Sequence, residues 1–336
     1  MKGEMNDMKK KRIAIFVGIL FFGIIVGTSS LGAEQRFLTL TSSPVGGDWY
    51  ILGGALAEVI KKEIPSLAVT VTTGGGVANP SKLNSGKADI GFTTHSTFHE
   101  ALQGTGPYKK KGRQSKVMGM LYLANIYTNL FLVRENNPVN SIEEIKDKKI
   151  PIKLVVAVKG SASSVSPERM LNEYGITFDD IRSWGGRINF VSYSEAASLI
   201  KDGHADGYCG PFTSAILELT VSRRMKLLPA KESVVDVLKS NFKYGKAVIP
   251  EGHWYFVKKD TPTTTYEMMI AVRKDLPEDL VYKITKAICA HPDSVRGVSR
   301  TYKKFSCEPS YQANRITGGP IHPGALRFYK EKGISK

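Results

Sequence analysis

The chain has 336 residues, of which 42% are hydrophobic and 23% charged, and this balance is typical of a soluble globular protein long enough for two domains. Its formal net charge of +16 at pH 7 would suggest a nucleic-acid partner, through contacts with phosphates. The basic residues are scattered, however, and the one dense run, residues 109–113, lies in a Gly/Pro-rich stretch typical of a solvated loop. We therefore expect no nucleic-acid binding and interpret the charge as a general field that attracts anionic solutes.

Residues 1–33 have the order of a secretory signal peptide. Basic residues at positions 9–12 precede an apolar or glycine run over residues 13–26, and small or polar residues follow as far as Ala33. This run is shorter than the ~20 residues that a membrane-spanning helix needs, so we expect a cleaved peptide rather than an anchor. Cleavage is predicted near Gly32 or Ala33, and the mature protein is predicted to be periplasmic.

The mature chain stays basic and contains few cysteines. Cleavage takes five bases and two acids from totals of 47 and 31, which leaves a net charge of +13. The three cysteines, an odd number without a CxxC pair, argue against a disulfide framework and against a zinc site. A single bridge between Cys289 and Cys307 stays open in an oxidising compartment.

From residue 37 onward, short β-rich runs alternate with helical patterns, as in an α/β protein with a largely parallel sheet. Residues 49–64 carry apolar pairs at helical spacing, and Pro65 ends this predicted helix. A short helix is expected near residues 80–84. Strands are predicted over residues 37–41, 68–73 and 88–93.

The second half repeats this plan. A helix is expected to end at Tyr174, and another, capped by Ser194, to end at Asp202; strands are predicted over residues 154–158, 188–193 and 205–209. In both halves a helix stops at a glycine and an Ala-Asp pair opens the next strand, over residues 83–89 and 200–206. We infer two homologous α/β lobes.

Two such lobes predict a ligand cleft. Ligands of open α/β sheets bind at the carboxyl ends of the strands, where loops meet helix N-termini. The first such turn of each lobe, residues 44–50 and 159–165, is rich in Gly, Ser or Asp. Facing turns would line one cleft with backbone N–H donors, and the natural guest of that cleft is an anion.

Four motifs then follow one another along the chain. They are GGDWYILGGALA over residues 46–57, TGGGVAN over 73–79, the stretch from Ser194 to Asp206, and PIHPGA with YKEKG between 320 and 333. In this order they resemble the TAXI-type solute-binding proteins of tripartite ATP-independent periplasmic (TRAP) transporters. The resemblance spans residues 37–333.

The resemblance implies a type II periplasmic-binding fold whose two lobes close around a small organic carboxylate, such as glutamate or 2-oxoglutarate. It implies no cofactor and no catalysis, and it implies docking on the membrane subunits of a sodium-driven TRAP transporter. The sequence departs from the family pattern at Asp48 and Trp49, at residues 93–95 and at residues 209–212. These departures bear on the selectivity of the cleft.

The predicted organisation is a signal peptide over residues 1–33, a first lobe over 34–127 and 272–336, and a second lobe over 128–271. The chain would cross between the lobes near Tyr127 and return over residues 264–271, and such hinge segments often border the cleft. We expect a monomer.

The candidate ligand-binding residues lie at the turns after strands and at the crossover. Ser161, Ser163 and Ser164 are the best donors of the second lobe, because a carboxylate held by hydroxyl and helix N–H groups gains charge-assisted hydrogen bonds. Helix capping explains one of the three. Gly46 and Gly47 let the backbone turn its N–H groups toward a carboxylate. The other candidates are Tyr50, Asn79, Thr94, His95, Tyr127, Pro211 and Phe212.

Structural roles compete with these assignments. Tyr50 is equally compatible with the core, Asn79 with an Asn-Pro turn, and a lone histidine such as His95 is more often structural. The Pro-Phe pair would cover the ligand's carbon skeleton or belong to the core of the second lobe. Asp48 is predicted as an N-cap, because its carboxylate would repel an anionic guest, and His322 is expected to brace the last helix.

Two other protein classes compete with this receptor interpretation. The receptor of an ABC importer, or a ligand-sensing module, would share the fold but not the motif series. An exported hydrolase would need a catalytic arrangement, and the chain has neither a G-x-S-x-G elbow nor an HExxH pair nor an evident His and Asp partner for Ser161 or Ser164. We therefore predict a protein that is not an enzyme, with no catalytic residue, no metal site and no cofactor.

Overall fold

The computed structural model describes residues 35–312 and 319–334. The predicted signal peptide lies outside this range. Residues from Phe37 onward pack as one compact unit. Within the described ranges, no helix combines the length and the apolar character needed to cross a membrane.

The elements alternate as an α/β protein requires. The first half contains β1 (Arg36–Thr41), α1 (Asp48–Glu63), β2 (Leu67–Thr72), α2 (Ala78–Asn84), β3 (Ile90–Thr94), α3 (His95–Gln103), β4 (Val117–Thr128), β5 (Leu130–Arg134), α4 (Ile142–Asp147) and β6 (Lys153–Ala157). The second half contains α5 (Ala162–Glu173), α6 (Phe178–Ser183), β7 (Arg187–Val191), α7 (Tyr193–Lys201), β8 (Gly207–Gly210), α8 (Ser214–Ser222), β9 (Met225–Leu228), α9 (Glu232–Phe242), β10 (Gly245–Ile249), β11 (Thr261–Arg273), α10 (Glu278–Ala290), α11 (Pro292–Arg296) and α12 (Pro323–Glu331).

These strands form two sheets. The first has the order β10-β11-β3-β1-β2, with β4 on β11, and the second has the order β7-β6-β8-β5-β9. The strands β1 and β3 run parallel, as do β6, β7 and β8, and the long strands β4 and β11 pair antiparallel along most of their length. This is the mixed α/β fold with two similar halves that the sequence predicts.

Burial explains the sequence pattern of the central strands. The second sheet is covered on both faces, so β5 and β6 are nearly continuous apolar runs, and Leu132 and Val155 are fully buried. The helix α1 needs only one apolar stripe, which includes Leu52, Leu56 and Ile60.

A single residue, Asn129, connects β4 of the first sheet to β5 of the second. β4 ends at Thr128, β5 begins at Leu130, and Asn129 between them has a φ of 59°. The Asn129 amide donates to Thr264 Oγ1 of β11 at 3.0 Å, so β11 lies beside the point where the chain leaves β4. β10 and β11 pair within the first sheet, and the predicted bounds of the two lobes stay a prediction.

Two predicted helix caps are wrong. Ser194 lies inside α7, whose N-cap is Ser192, and the Ser192 side chain accepts the Glu195 N–H at 3.2 Å. Asp48 is the first residue of α1 and the N-cap is Gly47, because the Asp48 carboxylate accepts hydrogen bonds from distant serines instead.

The structure contains the single disulfide that the sequence analysis left open. Cys289 of α10 and Cys307 form a disulfide with a Cα–Cα distance of 5.8 Å, and Cys209 is a free, buried thiol of β8. The bond ties α10 to the chain that follows the 3₁₀ turn Arg300–Tyr302. His322 caps α12 as its N-cap residue, as expected of a residue that braces this helix.

Candidate functional site

A small cavity lies between the two sheets. Its volume is about 40 Å³, measured as the space open to the centre of a water molecule. On that measure one water needs about 10–15 Å³, so the cavity suits a solute of few atoms. It is lined by Ser43, Pro44, Gly47, Asp48, Trp49, Gly75, Gly76, Ile126, Ser161, Ala162, Ser163, Tyr193, Pro211, Thr213, Tyr266 and Met268.

Residues at the N-terminal ends of four helices line this cavity. Lining residues belong to the start of α1 (Gly47–Trp49), of α5 (Ser161–Ser163), of α7 (Tyr193) and of α8 (Thr213). The first N–H groups of a helix have no partner within the helix, and together they carry partial positive charge. The cavity is therefore a receptive environment for negative charge.

Close backbone contacts join the two halves beside the cavity. The Gly160 carbonyl accepts the N–H groups of Val77 at 3.0 Å and of Ala78 at 2.8 Å, and so completes the start of α2. A Cβ atom on Gly75 would lie 2.7 Å from this carbonyl oxygen, and one on Gly46 would lie 2.8 Å from the Ser194 nitrogen. Glycine is required at both positions for this approach.

A pair of hydroxyl groups forms one wall. The Tyr193 hydroxyl donates to Ser163 Oγ at 2.9 Å. Burial raises the pKa of Tyr193, so this hydroxyl stays protonated at neutral pH. Because Ser163 Oγ accepts from Tyr193, its own proton is free to be donated to another acceptor.

Asp48 links α1 to the second half of the molecule. Its Oδ1 accepts the Ser214 N–H at 3.0 Å and the Ser214 hydroxyl at 2.8 Å, while Oδ2 accepts the Ser299 hydroxyl at 2.7 Å. Only 6% of Asp48 is exposed. Since α8 begins at Ser214, the carboxylate stabilises the N-terminal ends of two helices at once.

The remaining walls are apolar. The Trp49 ring stacks on Phe92 at a centroid distance of 5.6 Å, and its Nε1–H points at Met268 Sδ at 3.0 Å. The Tyr266 hydroxyl is bonded to Ser166, and Ile126 and two prolines complete the surface. Among the residues that the structure describes, no lysine, arginine or histidine lines the cavity.

Four of the predicted site residues line the cavity: Gly47, Ser161, Ser163 and Pro211. Ser164 lies one residue further along α5, and its hydroxyl donates to the Ser161 carbonyl at 2.8 Å. Gly46 lies against Ser194 instead of lining the cavity.

The structure places the other predicted residues elsewhere. Asn79 is fully buried and donates to three backbone carbonyls, while its side-chain oxygen accepts from Thr41 and Gly75. Thr94 caps α3, and His95 Nδ1 pairs with Glu267 at 2.7 Å. Tyr50 lies at the surface, and Tyr127 and Phe212 belong to an aromatic cluster around Trp254.

Several lining residues were not among the predicted ones. The sequence pattern could have predicted Thr213, because this residue follows the strand β8 and starts a helix, just as the serines of α5 follow β6. Tyr266 and Met268 lie within the long strand β11, and their position depends on pairing with β4, which no local signal predicts. No cluster of metal-ligating side chains exists in the described part of the chain.

Comparison with known proteins agrees with this architecture. The model of the NMT1-like family matches residues 40–333. MatC from Rhodopseudomonas palustris, solved with bound malate, has a TM-score of 0.56 at 14% identity, over 89% of this chain and 97% of that chain. PhnD1 from Prochlorococcus marinus, solved with methylphosphonate, has a TM-score of 0.52 at 13% identity, over 90% and 100% of the chains. A structure described as a periplasmic transporter has a TM-score of 0.50 at 13% identity. The chain thus has the fold of periplasmic solute-binding proteins.

Proposed function

The chain belongs to the NMT1-like family, and we propose that it is an extracytoplasmic receptor that captures a small organic carboxylate and delivers it to a TRAP membrane transporter. The observation that carries this proposal is the interlobe cavity, where four helix N-terminal ends and the Ser163 hydroxyl converge. Such a site holds a carboxylate by hydrogen bonds and partial charges.

The transporter class is proposed from the sequence. The four motifs that resemble TAXI-type receptors lie between residues 46 and 333, inside the range that the family profile matches. The fold is shared by receptors of several transporters, so the motif series is what favours a TRAP transporter over an ABC importer. A gene for a fused large membrane subunit beside this one, rather than one for an ATPase, checks the assignment.

The cavity supports binding rather than catalysis. Ser163 accepts from a tyrosine whose pKa is raised, and a protonated phenol does not remove a proton from a nucleophile. We accordingly propose a periplasmic, monomeric protein that has no cofactor and does not bind nucleic acid.

A thermal-shift screen of the protein, unfolded and refolded beforehand to remove bound solute, tests the receptor function. A ligand that binds only the folded state stabilises it by ~2.7 kcal/mol at a hundredfold excess over Kd. The screen covers monocarboxylates, dicarboxylates, amino acids and small phosphonates. We expect a carboxylate to raise the melting temperature, and Ser163→Ala to reduce the shift, while Ser183→Ala on the distant, exposed end of α6 leaves it unchanged. A response to cationic or neutral solutes alone would contradict the carboxylate proposal.

A further inference from the structure

Thr213 carries a buried hydroxyl group that lacks a partner within residues 35–312 and 319–334. It is the N-cap of α8, but its side chain makes no capping bond. Only 4% of the residue is exposed, and in the described residues Oγ1 has no hydrogen-bond partner. A buried hydroxyl without a partner costs free energy, so it indicates a place where another molecule supplies the partner. Thr213 lines the cavity, so a molecule bound there is well placed to supply that partner.

Thr213 and Ser163 are two hydroxyl donors in equivalent positions. Both lie at the start of a helix that follows a strand of the second sheet, and both line the cavity. A carboxylate group has two oxygens, and each hydroxyl can donate to one of them. The helix ends of α5 and α8 add partial positive charge beside the same group.

The rest of the cavity is suited to one negative charge and no more. Asp48 lines it, is buried, and accepts its hydrogen bonds from serines instead of a lysine or arginine. Coulomb repulsion between carboxylates is strong where water is excluded, so a second carboxylate on the ligand would be disfavoured. The apolar side chains of Trp49, Ile126 and Met268, and the volume of about 40 Å³, favour a short carbon skeleton instead.

We propose, resting on the receptor function above, that the ligand is a short monocarboxylate whose single carboxylate is held by Thr213 and Ser163. Its apolar end lies against Trp49 and Met268. Asp48 excludes dicarboxylates. A monocarboxylate differs from the dicarboxylates that the TAXI resemblance implies. Asp48, which would exclude dicarboxylates, is also a position at which the sequence differs from that family.

Butanoate and succinate are the matched probes, because they share four carbons and differ in one terminal methyl or carboxylate. We expect titration calorimetry to give at least tenfold tighter binding for butanoate. In the Asp48→Asn variant, the ratio of butanoate affinity to succinate affinity is expected to fall toward one. The ratio is the useful readout, since any effect of this change on lobe closure applies to both ligands.

Thr213→Val is the second test, and Thr213→Ser is its control. The valine variant is expected to lose about ten- to a hundredfold in butanoate affinity, because a hydrogen bond to a charged group is lost. Its melting temperature without ligand should stay equal or rise, because a hydroxyl without a partner is removed. The serine variant should retain affinity. A misfolded variant would show itself by a lower melting temperature.

The outcomes separate the two proposals. Succinate binding as tightly as butanoate, or a Thr213→Val variant with unchanged affinity, would overturn the monocarboxylate inference and leave a carboxylate receptor. Absence of binding by every carboxylate in the screen would overturn both.

Discussion

His322 holds the C-terminal helix through its neutral imidazole ring. Nδ1 accepts the Gly324 N–H at 3.2 Å, and Nε2 lies 3.1 Å from the Leu276 carbonyl oxygen, to which it donates. Burial lowers the pKa of His322 from its ordinary value of 6.5. A proton added to Nδ1 would remove the acceptor that caps α12.

This arrangement predicts a pH dependence of stability. The folded-state pKa lies below the unfolded one, so the stabilisation is complete above about pH 6.5 and is lost as the pH falls toward the folded value. We expect the free energy of unfolding to decrease from pH 7 to pH 5. His322→Asn keeps a capping side chain without titrating, and denaturant unfolding of this variant should show a shallower decrease. An equal slope for both proteins would contradict the role of His322.

At the level of single residues, local chemistry was predictable and long-range partners were not. The serines at the start of α5 could be found, because a strand, a turn and a helix leave a clear pattern around Ser161 and Ser163. The neighbours of Asp48 in the sequence predict a helix cap at this residue. Its actual partners, Ser214 and Ser299, lie 166 and 251 residues away, and only the folded chain brings them together.

Among the elements, α10 depends on a covalent bond as well as on packing. The disulfide joins Cys289 to a residue 18 positions further on. In the chain-entropy account, a bond that closes a loop of this length stabilises the fold by about 3 kcal/mol. The gain comes from restriction of the unfolded chain.

We therefore expect that Cys289→Ala/Cys307→Ala lowers the free energy of unfolding by about 3 kcal/mol in a urea titration. A reductant should lower the stability of the unsubstituted protein by a similar amount and leave the double variant unaffected. If the reductant destabilises both proteins equally, the disulfide is not the cause.

The helices and strands, like the single residues, were predictable where local sequence determines them and not where distant partners do. The strands and helices that surround residues 44–50 and 159–165 were expected within a few residues of their bounds, because turn residues and periodicity specify them locally. Sequence patterns do not predict the pairing of β11 with β3, β4 and β10, since it joins residues as far apart in the sequence as Ile90 and Val272. This pairing places Tyr266 and Met268 at the cavity.

For the molecule as a whole, a buried ion pair joins a helix of the first half to a helix of the second. Arg169 of α5 bonds to Glu100 of α3 at 2.6 Å, and each side chain is 12% exposed. The guanidinium also donates to the Tyr244 hydroxyl at 3.0 Å and packs over the Phe242 ring. Burial raises the pKa of the Glu100 carboxyl, although Arg169 opposes this change.

Breaking this pair is expected to weaken the binding of every ligand to a similar degree. In a receptor whose halves close around the ligand, as the proposed function implies, this pair would form on closure. Glu100→Gln should then lower affinity on the order of tenfold, while the ratio of butanoate to succinate affinity stays the same. Arg182→Ala, in the exposed pair with Asp179 on α6, is the matched control and should change neither quantity. Titration calorimetry measures both, and a change in the ligand ratio for Glu100→Gln would contradict a role limited to closure.

The Gly160 carbonyl gives closure a further consequence. This oxygen belongs to one half of the molecule and accepts the first N–H groups of a helix of the other. In a receptor whose halves open and close, as the proposed function implies, α2 would lose this acceptor on opening. Separation leaves the amides of Val77 and Ala78 exposed to exchange with solvent. Their deuterium uptake therefore measures the fraction of open molecules directly, and a saturating solute should slow it by the same factor by which it depletes the open state.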